Sequence, residues 1–389
     1  MRIYYLGSTV FVPQHIADLR KRSLFVKPAA EKREAYIFQM LNELVSNKHG
    51  LTFISSAHGK ERGYQPLRNY RKKNINYLYL GYYGSGLLRH LTSYFLSFFR
   101  LFALIKSNDI VITYNFPPIY AIPLLILKKL RSYSLIIEYE DFFNADDKRS
   151  YIFGPFERMG MHRADAFVAS SIGMESTIKS KNLCSPIVVN SGYPSSRGRD
   201  FEDENNGLPP HKLFYSGSLD KERGIENLVR TFKSNNSRDY SLTITGVGPL
   251  EQFVESEIKH DNRIQYLGML NEEDYLSQLE QVDICVNSQW SNIDVNFPSK
   301  ITMYLANGNV VMSTKIYSII NSPFAKLIEF YDENDDTEFW SIVKRITESN
   351  TYQLANTASR VDQFNDIMDI QRIKFFELVN RYFTPPRCS

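Results

Sequence analysis

The sequence predicts an α/β protein made of two doubly wound parallel-sheet domains that face a cleft. Its 389 residues are too many for one compact core. Short β-branched runs alternate with longer helical runs along most of the chain, and a stretch rich in Gly, Pro, Ser and charge, residues 190–212, interrupts the alternation. We therefore expect domains at 1–195 and 196–367, with a C-terminal helix, 368–389, able to pack back on the first domain.

The first half contains six apolar, β-rich runs that predict strands. They are "RIYYLG", "LTFISS", "NYLYLG", "DIVITYN", "SLIIEYED" and "AFVASS". Helical periodicity between them predicts helices at Glu31–Asn47, Leu87–Lys106 and Ile119–Arg131. Strands that alternate with helices favour parallel pairing, because parallel neighbours need a crossover connection.

The second half repeats this alternation. The predicted strands are "KLFYSGS", "SLTITGVG", "RIQYLGML", "DICVNSQ" and "NVVMSTK". The predicted helices are Ile225–Ser234, Pro249–Lys259, Asn271–Gln281 and Ser299–Ala306. Beyond Asp332 the pattern is mostly helical and ends in an aromatic-rich run.

Charge is distributed unevenly along the chain. Residues 1–135 carry 20 Lys and Arg against 6 Asp and Glu, whereas residues 201–389 carry 18 against 28. The first third is therefore strongly basic, and its cations lie among aromatic residues, which favours an anionic membrane surface or a lipid phosphate as partner. A well-solvated basic face is the alternative. No zinc-finger spacing or RNA-binding string is present, so we expect no nucleic-acid partner.

Cysteine spacing and hydropathy indicate the cellular location of the protein. The three cysteines, Cys184, Cys285 and Cys388, lie too far apart for a thiol motif or metal-ligand spacing. The apolar part of the N-terminus is too short for a signal peptide. The most apolar stretches fall short of the roughly 20 residues that a spanning helix needs. We expect a cytoplasmic protein with no transmembrane helix.

Two loops after predicted strands carry the residue types that bind phosphate. Gly217 and Ser218 follow one strand, and Arg223 precedes the next helix, so a guanidinium and free N–H groups can approach an anion. Gly246 and Gly248 make a sharp turn after the following strand. Each motif alone is weak, because glycine after a strand is usually turn chemistry.

The stretch "NFPSKITMYLANGNVVMSTK", residues 296–315, places a lysine at the start of a helix. Pro298 and Ser299 suit the first helical positions, where N–H groups lack intrahelical acceptors and the dipole is positive. A cation there disfavours the helix by about 0.3–1 kcal/mol. Lys300 would be useful beside a diphosphate; alternatively, it simply points to water.

Taken in order, these motifs resemble the nucleotide-binding domain of a GT-B glycosyltransferase, and glycosyltransferase family 4 in particular. The matching stretches fall within about residues 212–315. In chain order they are "SGSLDKERG", "GVGP", "YLGMLNEEDYLSQLEQVDICVN" and "PSKITMYLANGNVV". Upstream the resemblance is looser, through "YEDFFN" and "FERMGMHRADAFVASSIGMEST". The resemblance implies two Rossmann-like domains and nucleotide-sugar-dependent transfer that retains anomeric configuration.

Two positions depart from the family pattern. The family's arginine after the strand is Ser218 here, which leaves Arg223 and Lys300 as the phosphate cations. The family's pair of glutamates, one of which holds the ribose, falls at Val295 and Met303, neither of which accepts a hydrogen bond through its side chain. Asp294, Asn296 or backbone groups near Gly246 are the substitutes that the sequence offers.

The resemblance implies a set of site residues and no metal or other cofactor. The implied catalytic residues are Glu140, Asp141, Arg223 and Lys300. The implied donor-binding residues are Gly7, Ser8, Gly217, Ser218, Arg223, Gly246, Gly248, Gly268, Met269, Leu270, Asn296, Pro298, Ser299 and Lys300. Glu140 and Asp141 would orient hydroxyls or act as base; alternatively, they form a solvated acidic loop or a helix cap.

The implied donor is a UDP- or GDP-sugar, and the implied acceptor is a glycan or a lipid-linked glycan in bacterial surface polysaccharide assembly. We expect the enzyme to lie at the inner face of the membrane, held by basic residues such as Arg68–Lys73. Two other readings stay open. One is a non-catalytic GT-B subunit that partners another transferase, and the other is a different GT-B-shaped enzyme, such as an epimerase or a phosphorylase.

Overall fold

In a computed structural model, the chain divides into two compact units. Unit 1 comprises residues 1–190 and 371–389, and unit 2 comprises residues 191–370. The sequence predicts these divisions after residues 195 and 367. The structure describes residues 1–8, 28–45, 50–56, 63–65, 68–72, 75–140, 150–181, 184–194, 211–292, 296–348 and 355–383.

Within its described residues, unit 1 contains an eight-stranded sheet with the order β10-β9-β8-β7-β1-β2-β5-β4, and a small β3-β6 pair. The strands are β1 Arg2–Gly7, β2 Gly50–Ser55, β3 Gly63–Gln65, β4 Arg68–Lys72, β5 Ile75–Tyr79, β6 Tyr82–Gly84, β7 Ile110–Tyr114, β8 Ser134–Tyr139, β9 Ala166–Ala169 and β10 Ile187–Val189. The helices are α1 Pro28–Val45, α2 Gly86–Leu104, α3 Pro118–Leu130, α4 Ser150–Arg163 and α5 Ile172–Lys179.

The core of unit 1 forms around the central strand β1. Ile3 and Tyr5 are fully buried there and pack with Ile37 of α1 and with apolar residues of the neighbouring strands. The last helix of the chain, α12 (Ala355–Asn380), adds Phe375 and Leu378 to the same core. The end of the last helix therefore packs in the same unit as the N-terminal strand, through buried apolar and aromatic side chains.

Unit 2 has a six-stranded sheet with the order β13-β12-β11-β14-β15-β16 in its described residues. Its strands are β11 His211–Ser216, β12 Tyr240–Thr245, β13 Ile264–Tyr266, β14 Ile284–Asn287, β15 Val310–Thr314 and β16 Ile328–Tyr331. Its helices are α6 Ile225–Lys233, α7 Glu251–His260, α8 Glu272–Glu280, α9 Ser299–Ala306, α10 Tyr317–Ile320 and α11 Asp336–Glu348, followed by the first part of α12.

Each pairing in the six-stranded sheet is parallel, and apolar helix faces cover it. In α6, for example, Ile225, Leu228, Val229 and Phe232 recur at helical spacing and are buried. Parallel strands point their carboxyl ends to one edge of a sheet, and ligands of doubly wound folds bind outside that edge. The loops that follow β11 to β15 are therefore where a site should lie.

The predicted α/β class is confirmed, and most predicted elements agree with the structure to within three residues at each end. One departure is β4, which pairs antiparallel with β5. Only two residues separate these strands, and such a link is too short for a parallel crossover. The run "RNYRK" of β4 carries three cations and lies at the edge of the sheet, where charge also disfavours pairing with other chains.

The predicted linker, residues 190–212, lies outside the described residues from 195 to 210. Over the part of the chain that the structure describes, no helix combines the length and the apolarity needed to cross a membrane.

Candidate functional site

The loops after β11, β12 and β13 interlock at the carboxyl edge of the unit 2 sheet. Gly217 N–H donates to the Thr245 carbonyl at 3.1 Å, and Gly246 N–H donates to the Gly268 carbonyl at 2.8 Å. Gly246 has a φ of 130°, and a Cβ atom there would lie 1.8 Å from the Gly217 oxygen. Only glycine fits this position. Three predicted donor-binding glycines are thus brought together in one rigid layer.

The following turn packs on the same layer. Leu219 N–H donates to the Val247 carbonyl at 3.1 Å, and a Cβ atom on Gly248 would lie 2.5 Å from the Leu219 oxygen. Gly248 N–H donates to Glu251 of α7 at 2.8 Å. The backbone of the Gly246–Gly248 turn is therefore fixed by contacts of its own, and the Gly248 N–H already has an acceptor.

Arg223 is held against the end of β14. Its N–H donates to Asp220 Oδ1 at 2.8 Å, and its guanidinium donates to Gln289, which follows β14 and is buried. Gly224 next to it has a φ of 66°, and a Cβ atom there would lie 1.9 Å from the Ser288 oxygen. Glycine is required for this close backbone approach. The half-buried Arg223 is therefore held at the sheet edge by its neighbour's backbone and by its own bond to Gln289.

Lys300 lies at the same edge. Its ammonium is 4.2 Å from the ring centroid of Tyr215, and a Cβ atom on Gly217 would be 3.7 Å from its Nζ. The residue as a whole is half-buried, but Nζ itself is buried and has no hydrogen-bond acceptor among the described residues. A buried ammonium without an acceptor is costly, so this atom marks a place prepared for an anion.

The electrostatics of this place favour an added negative charge. Burial lowers the pKa of Lys300 well below its usual range, and the positive charge of Arg223 lowers it further. The negative charge of Asp220 opposes that shift only in part. An anion bound here would raise the pKa of Lys300 again and favour its charged form. The geometry thus brings together Arg223 and Lys300, the two cations predicted to hold phosphate.

The start of α9 supplies further donors. Pro298 precedes the helix with no side-chain cap, and Ile301 N–H is the first backbone donor seen to bond back, to the Pro298 carbonyl at 3.0 Å. The N–H groups of Ser299 and Lys300 precede the first intrahelical bonds and add the positive end of the helix dipole. The predicted helix start at Ser299 is confirmed.

A polar cluster behind Gly217 fixes the end of β11. Ser216 Oγ lies 2.8 Å from Tyr304 Oη and 3.1 Å from Tyr275 Oη, and Tyr304 Oη also accepts the Ser216 N–H at 3.1 Å. Burial raises the pKa of Tyr304 and of Tyr275, so both phenols stay neutral. They support the site but do not reach it.

The other predicted donor-binding residues of unit 2 differ in how exposed they are to solvent. Ser218 and Met269 are exposed, and Leu270 is half-buried. Asn296 is exposed and accepts a hydrogen bond from Ser318 through its carbonyl. Met303, at the family's ribose position, is buried in α9. Asp294 and Val295 lie outside the described residues, so the ribose contact stays open.

In unit 1, the predicted phosphate loop already binds a carboxylate. Ser8 N–H donates to Glu34 Oε1 at 2.9 Å, and Ser8 Oγ donates to the same oxygen at 2.7 Å. Glu34 is buried, and the Gly7 carbonyl accepts a hydrogen bond from Tyr120 Oη at 2.7 Å. The donors that we assigned to a sugar phosphate therefore have an internal acceptor, and a phosphate role for Gly7 and Ser8 stays a prediction.

Glu140 follows β8 and is also hydrogen-bonded. Its carboxylate accepts from Tyr114 Oη, and its N–H donates to Asn115 Oδ1 at 2.9 Å. The solvated-loop alternative does not describe this residue, which is half-buried and held by neighbouring strands. Asp141 lies outside the described residues. The catalytic roles of both stay predictions.

Beneath Glu140 lies a buried ionic network that the sequence did not reveal. Arg33 Nε donates to Glu138 Oε1 at 2.7 Å, and Arg33 Nη1 donates to Asn190 Oδ1 at 2.8 Å. Tyr5 Oη donates to Glu138 Oε2 at 2.9 Å. Burial raises the pKa of Glu138, and the Arg33 charge opposes that shift.

The supporting residues missed from the sequence include Tyr215, Gln289 and Glu34. A topological signal was available for Gln289, because it follows a predicted strand and therefore had to lie at the carboxyl edge. Tyr215 lies in the strand that precedes Gly217, but alternation alone did not show which side chain would face Lys300. Glu34 gave no local signal, because its acceptor role depends on how α1 packs.

A cavity of about 510 Å³ opens elsewhere in unit 2, near the amino ends of β11, β12 and β13, where Lys212, Ser241 and Arg263 line it. In parallel sheets, ligands bind at the carboxyl ends. The edge that holds Lys300 is therefore the better candidate.

Comparison of the sequence gives no relative: no protein-family model matches the chain, and no curated protein matches it.

Solved structures do match. A sucrose-phosphate synthase from Thermosynechococcus elongatus aligns with a TM-score of 0.68 at 12% identity, covering 98% of this chain and 99% of that one. An E. coli trehalose-6-phosphate synthase bound with UDP-2-fluoro glucose also gives 0.68 at 12% identity, with both chains fully covered. The lipopolysaccharide outer core galactosyltransferase WaaB, in its apo form, gives 0.64 at 16% identity, covering 98% and 99%. At these identities the likeness shows the fold, which is the predicted GT-B fold.

Proposed function

We propose that this protein is a retaining glycosyltransferase similar to family 4, which transfers a sugar from a UDP- or GDP-sugar to a glycan or lipid-linked acceptor. The observation that carries the proposal is Lys300, whose buried ammonium lacks an acceptor beside Gly217 and near Arg223. Among ligands suited to such a place, a diphosphate has the charge and the acceptor oxygens to satisfy Lys300, Arg223 and the start of α9 together.

The chemistry requires stabilisation of the departing diphosphate. Charge accumulates on the bridging oxygen as the glycosidic bond breaks, and preorganised cations and N–H groups lower the barrier most when they are shielded from water. Lys300 is fixed by the Tyr215 ring and Arg223 by Gln289, so neither must reorganise as the charge develops. No metal is needed in this proposal.

The similar structures support the choice of donor and pathway. One of them holds UDP-2-fluoro glucose, and another is a galactosyltransferase of the lipopolysaccharide outer core. We propose a role in bacterial surface polysaccharide biosynthesis, such as lipopolysaccharide, O-antigen or capsule assembly. Retention would use the leaving diphosphate to help deprotonate the acceptor, with Glu140 and Asp141 orienting hydroxyls or one of them acting as base.

The proposed location is the cytoplasmic face of the membrane. The basic segment Arg68–Lys73 supplies cations for anionic lipid at about 1 kcal/mol for each residue near the surface. In the structure this segment is mostly the edge strand β4, and Arg71 is exposed. Lys73 lies outside the described residues.

A thermal-shift panel tests the donor site. UDP, GDP, dTDP and their sugars are added to the full chain, with and without EDTA. A ligand at about 100 times its dissociation constant adds about 2.7 kcal/mol to the free energy of unfolding. We expect at least one nucleoside diphosphate to raise the melting temperature, and EDTA to leave that rise unchanged. Sugar transfer from the stabilising donor is then followed by release of the free nucleotide.

The alternative function is a non-catalytic GT-B subunit that partners another transferase. The buried Met303 and the exposed Ser218 favour it, because neither offers the charged group that the family uses there. If no nucleotide raises the melting temperature at millimolar concentration, this alternative replaces the proposed activity.

A further inference from the structure

The amphipathic pattern of helix α2 is the reverse of that expected for a helix on a water-facing surface. Its buried positions are Ser93, Ser97 and Leu101, spaced four residues apart. Its exposed side chains on the other side are large and apolar, and they are Leu87, Leu88, Leu91, Phe95, Leu96 and Phe99. Phe95 is 64% exposed. Water-facing helices normally place such residues inward, so another apolar medium is needed to cover this face.

The neighbouring helix α3 carries a second row of exposed apolar residues. It lies beside α2, because Arg131 at its end donates to the Phe102 carbonyl and stacks 4.4 Å from the Phe102 ring. Ile122, Ile126 and Leu130 recur every four residues along α3 and are exposed. Scattered exposed apolar residues are common, but a run of nine on two adjacent helices marks an interaction surface.

Charge around this surface identifies its occupant. Neither α2 nor α3 contains an Asp or Glu, whereas Arg100 and Lys129 are exposed on them. On α2, Arg89 and Arg100 lie on one flank of the apolar face, eleven residues or about three turns apart. Apolar residues bordered by cations, with no carboxylate among them, complement an anionic lipid surface.

A second copy of the chain fits less well. A two-fold dimer would place this surface against an identical one, so that Arg100 and Lys129 of both copies would be brought into one interface. No acidic residue of either helix would offset that repulsion. Anionic headgroups beside acyl chains satisfy the cations and the apolar side chains together.

We propose that the paired faces of α2 and α3 insert into the interfacial layer of an anionic phospholipid bilayer, with the helices lying in the membrane plane. This inference goes beyond the donor site and names a surface other than the basic segment Arg68–Lys73. Because β4 contributes charge without a comparable apolar face, it can attract the protein to a membrane, whereas α2 and α3 supply the insertion.

The test uses the full chain in vesicle flotation. The vesicles are phosphatidylcholine alone, or phosphatidylcholine and phosphatidylglycerol in roughly equal parts. The apolar variant carries Leu91→Gln, Phe95→Gln and Phe99→Gln, and the matched control carries Ile370→Gln and Ile373→Gln, two exposed isoleucines of α12. We expect the apolar variant to bind anionic vesicles at least about tenfold more weakly, and the control to bind like the wild type.

Two further variants separate insertion from surface charge. In Phe95→Trp, the added tryptophan should shift its emission to shorter wavelength on anionic vesicles, whereas the natural Trp290 and Trp340 lie in unit 2 and serve as the background. Arg100→Gln with Lys129→Gln should weaken binding to anionic vesicles and make it less sensitive to salt.

Two outcomes would overturn the inference. One is wild-type binding by the apolar variant, particularly if Arg71→Gln abolishes it, because β4 would then be the docking element. The other is a lipid-free dimer that the apolar variant dissociates, because a second copy would then cover the surface. The melting-temperature rise with a nucleoside diphosphate should be equal in the wild type and the apolar variant, so failure here is distinct from failure of the donor site.

Discussion

The two sheets end in carboxyl edges that handle charge in opposite ways. In unit 1, buried Arg33 meets Glu138 and Asn190, and the donors of Ser8 meet Glu34. In unit 2, the Lys300 ammonium is buried with no acceptor among the described residues. Two edges of similar topology thus differ in whether the protein supplies its own anion.

This difference indicates that the charges at the first edge have a structural role and that those at the second have a role in binding. A buried ion pair supplies its own counter-charge and needs no ligand, and removing one partner leaves the other charge buried without compensation. A buried cation without an acceptor costs folding free energy, and such a cost is characteristic of sites that bind. Removing charge from the first edge should therefore harm stability, whereas removing it from the second should harm binding.

The largest expected effect is from Arg33→Met. It leaves Glu138 buried without its cation, and breaking one partner of a buried pair costs about 3–5 kcal/mol. Urea unfolding of the full chain measures it. The matched control is Arg372→Met, which breaks an exposed pair with Glu43 and should cost less than about 1 kcal/mol. Equal losses in the two variants would remove the distinction between the edges.

Next in size is Lys300→Met, which should weaken ligand binding without lowering the stability of the unliganded protein. Affinity for the stabilising nucleoside diphosphate should fall about tenfold to a hundredfold, because a charge-assisted contact is worth about 1.5–3 kcal/mol. Without ligand, the melting temperature should stay the same or rise, because the buried charge is gone. Lys344→Met, at an exposed lysine of α11, is the control for binding. A variant that binds as tightly as the wild type would refute the role of Lys300.

A smaller effect is expected from Glu34→Gln. The amide oxygen can still accept from Ser8, but the charge is lost, so we expect a loss of about 1 kcal/mol in the free energy of unfolding. If the Gly7–Ser8 loop binds donor phosphate, removing this competing carboxylate should instead tighten nucleotide-sugar binding. Calorimetric titration therefore decides between a structural loop and a binding loop.

The smallest effect is the pH dependence of binding. The pKa of Lys300 is lowered in the folded, unliganded protein, so its proton is lost as the pH rises through that value, and diphosphate binding must take a proton up. Affinity should fall with rising pH by less than about tenfold per pH unit. Calorimetry in two buffers of different ionisation enthalpy measures the uptake. Arg223, Asp220, Cys285 and Tyr215 face Lys300, so Lys300→Met is needed to assign the slope.

The same lowered pKa has a consequence for stability. Because the folded value lies below the unfolded value, Lys300 lowers stability most at pH values below its folded pKa, and the penalty fades as the pH rises towards about 10.4. In Lys300→Met this contribution to the pH dependence of unfolding should be absent.

Local pattern determined a large part of the fold. The β-branched runs and the helical spacing between them located most strands and helices, because burial of one face imposes a period of two or 3.6 residues that is written in the chain. Parallel pairing followed from the helical crossovers. The pattern failed at β4, where three cations hide a strand that pairs antiparallel at the sheet edge, and it gave no sign of the inverted faces of α2.

Within the site, the sequence determined which residues lie at the carboxyl edge, since a residue that follows a parallel strand has nowhere else to go. Arg223, Gly246 and the start of α9 at Ser299 were predictable in this way. Tertiary structure alone decided which charged groups have partners. Glu34 accepts from Ser8, 26 residues earlier in the chain, and Lys300 stacks on Tyr215, 85 residues earlier. Charge compensation acts through space between side chains that packing brings together, and no local pattern of residues records it.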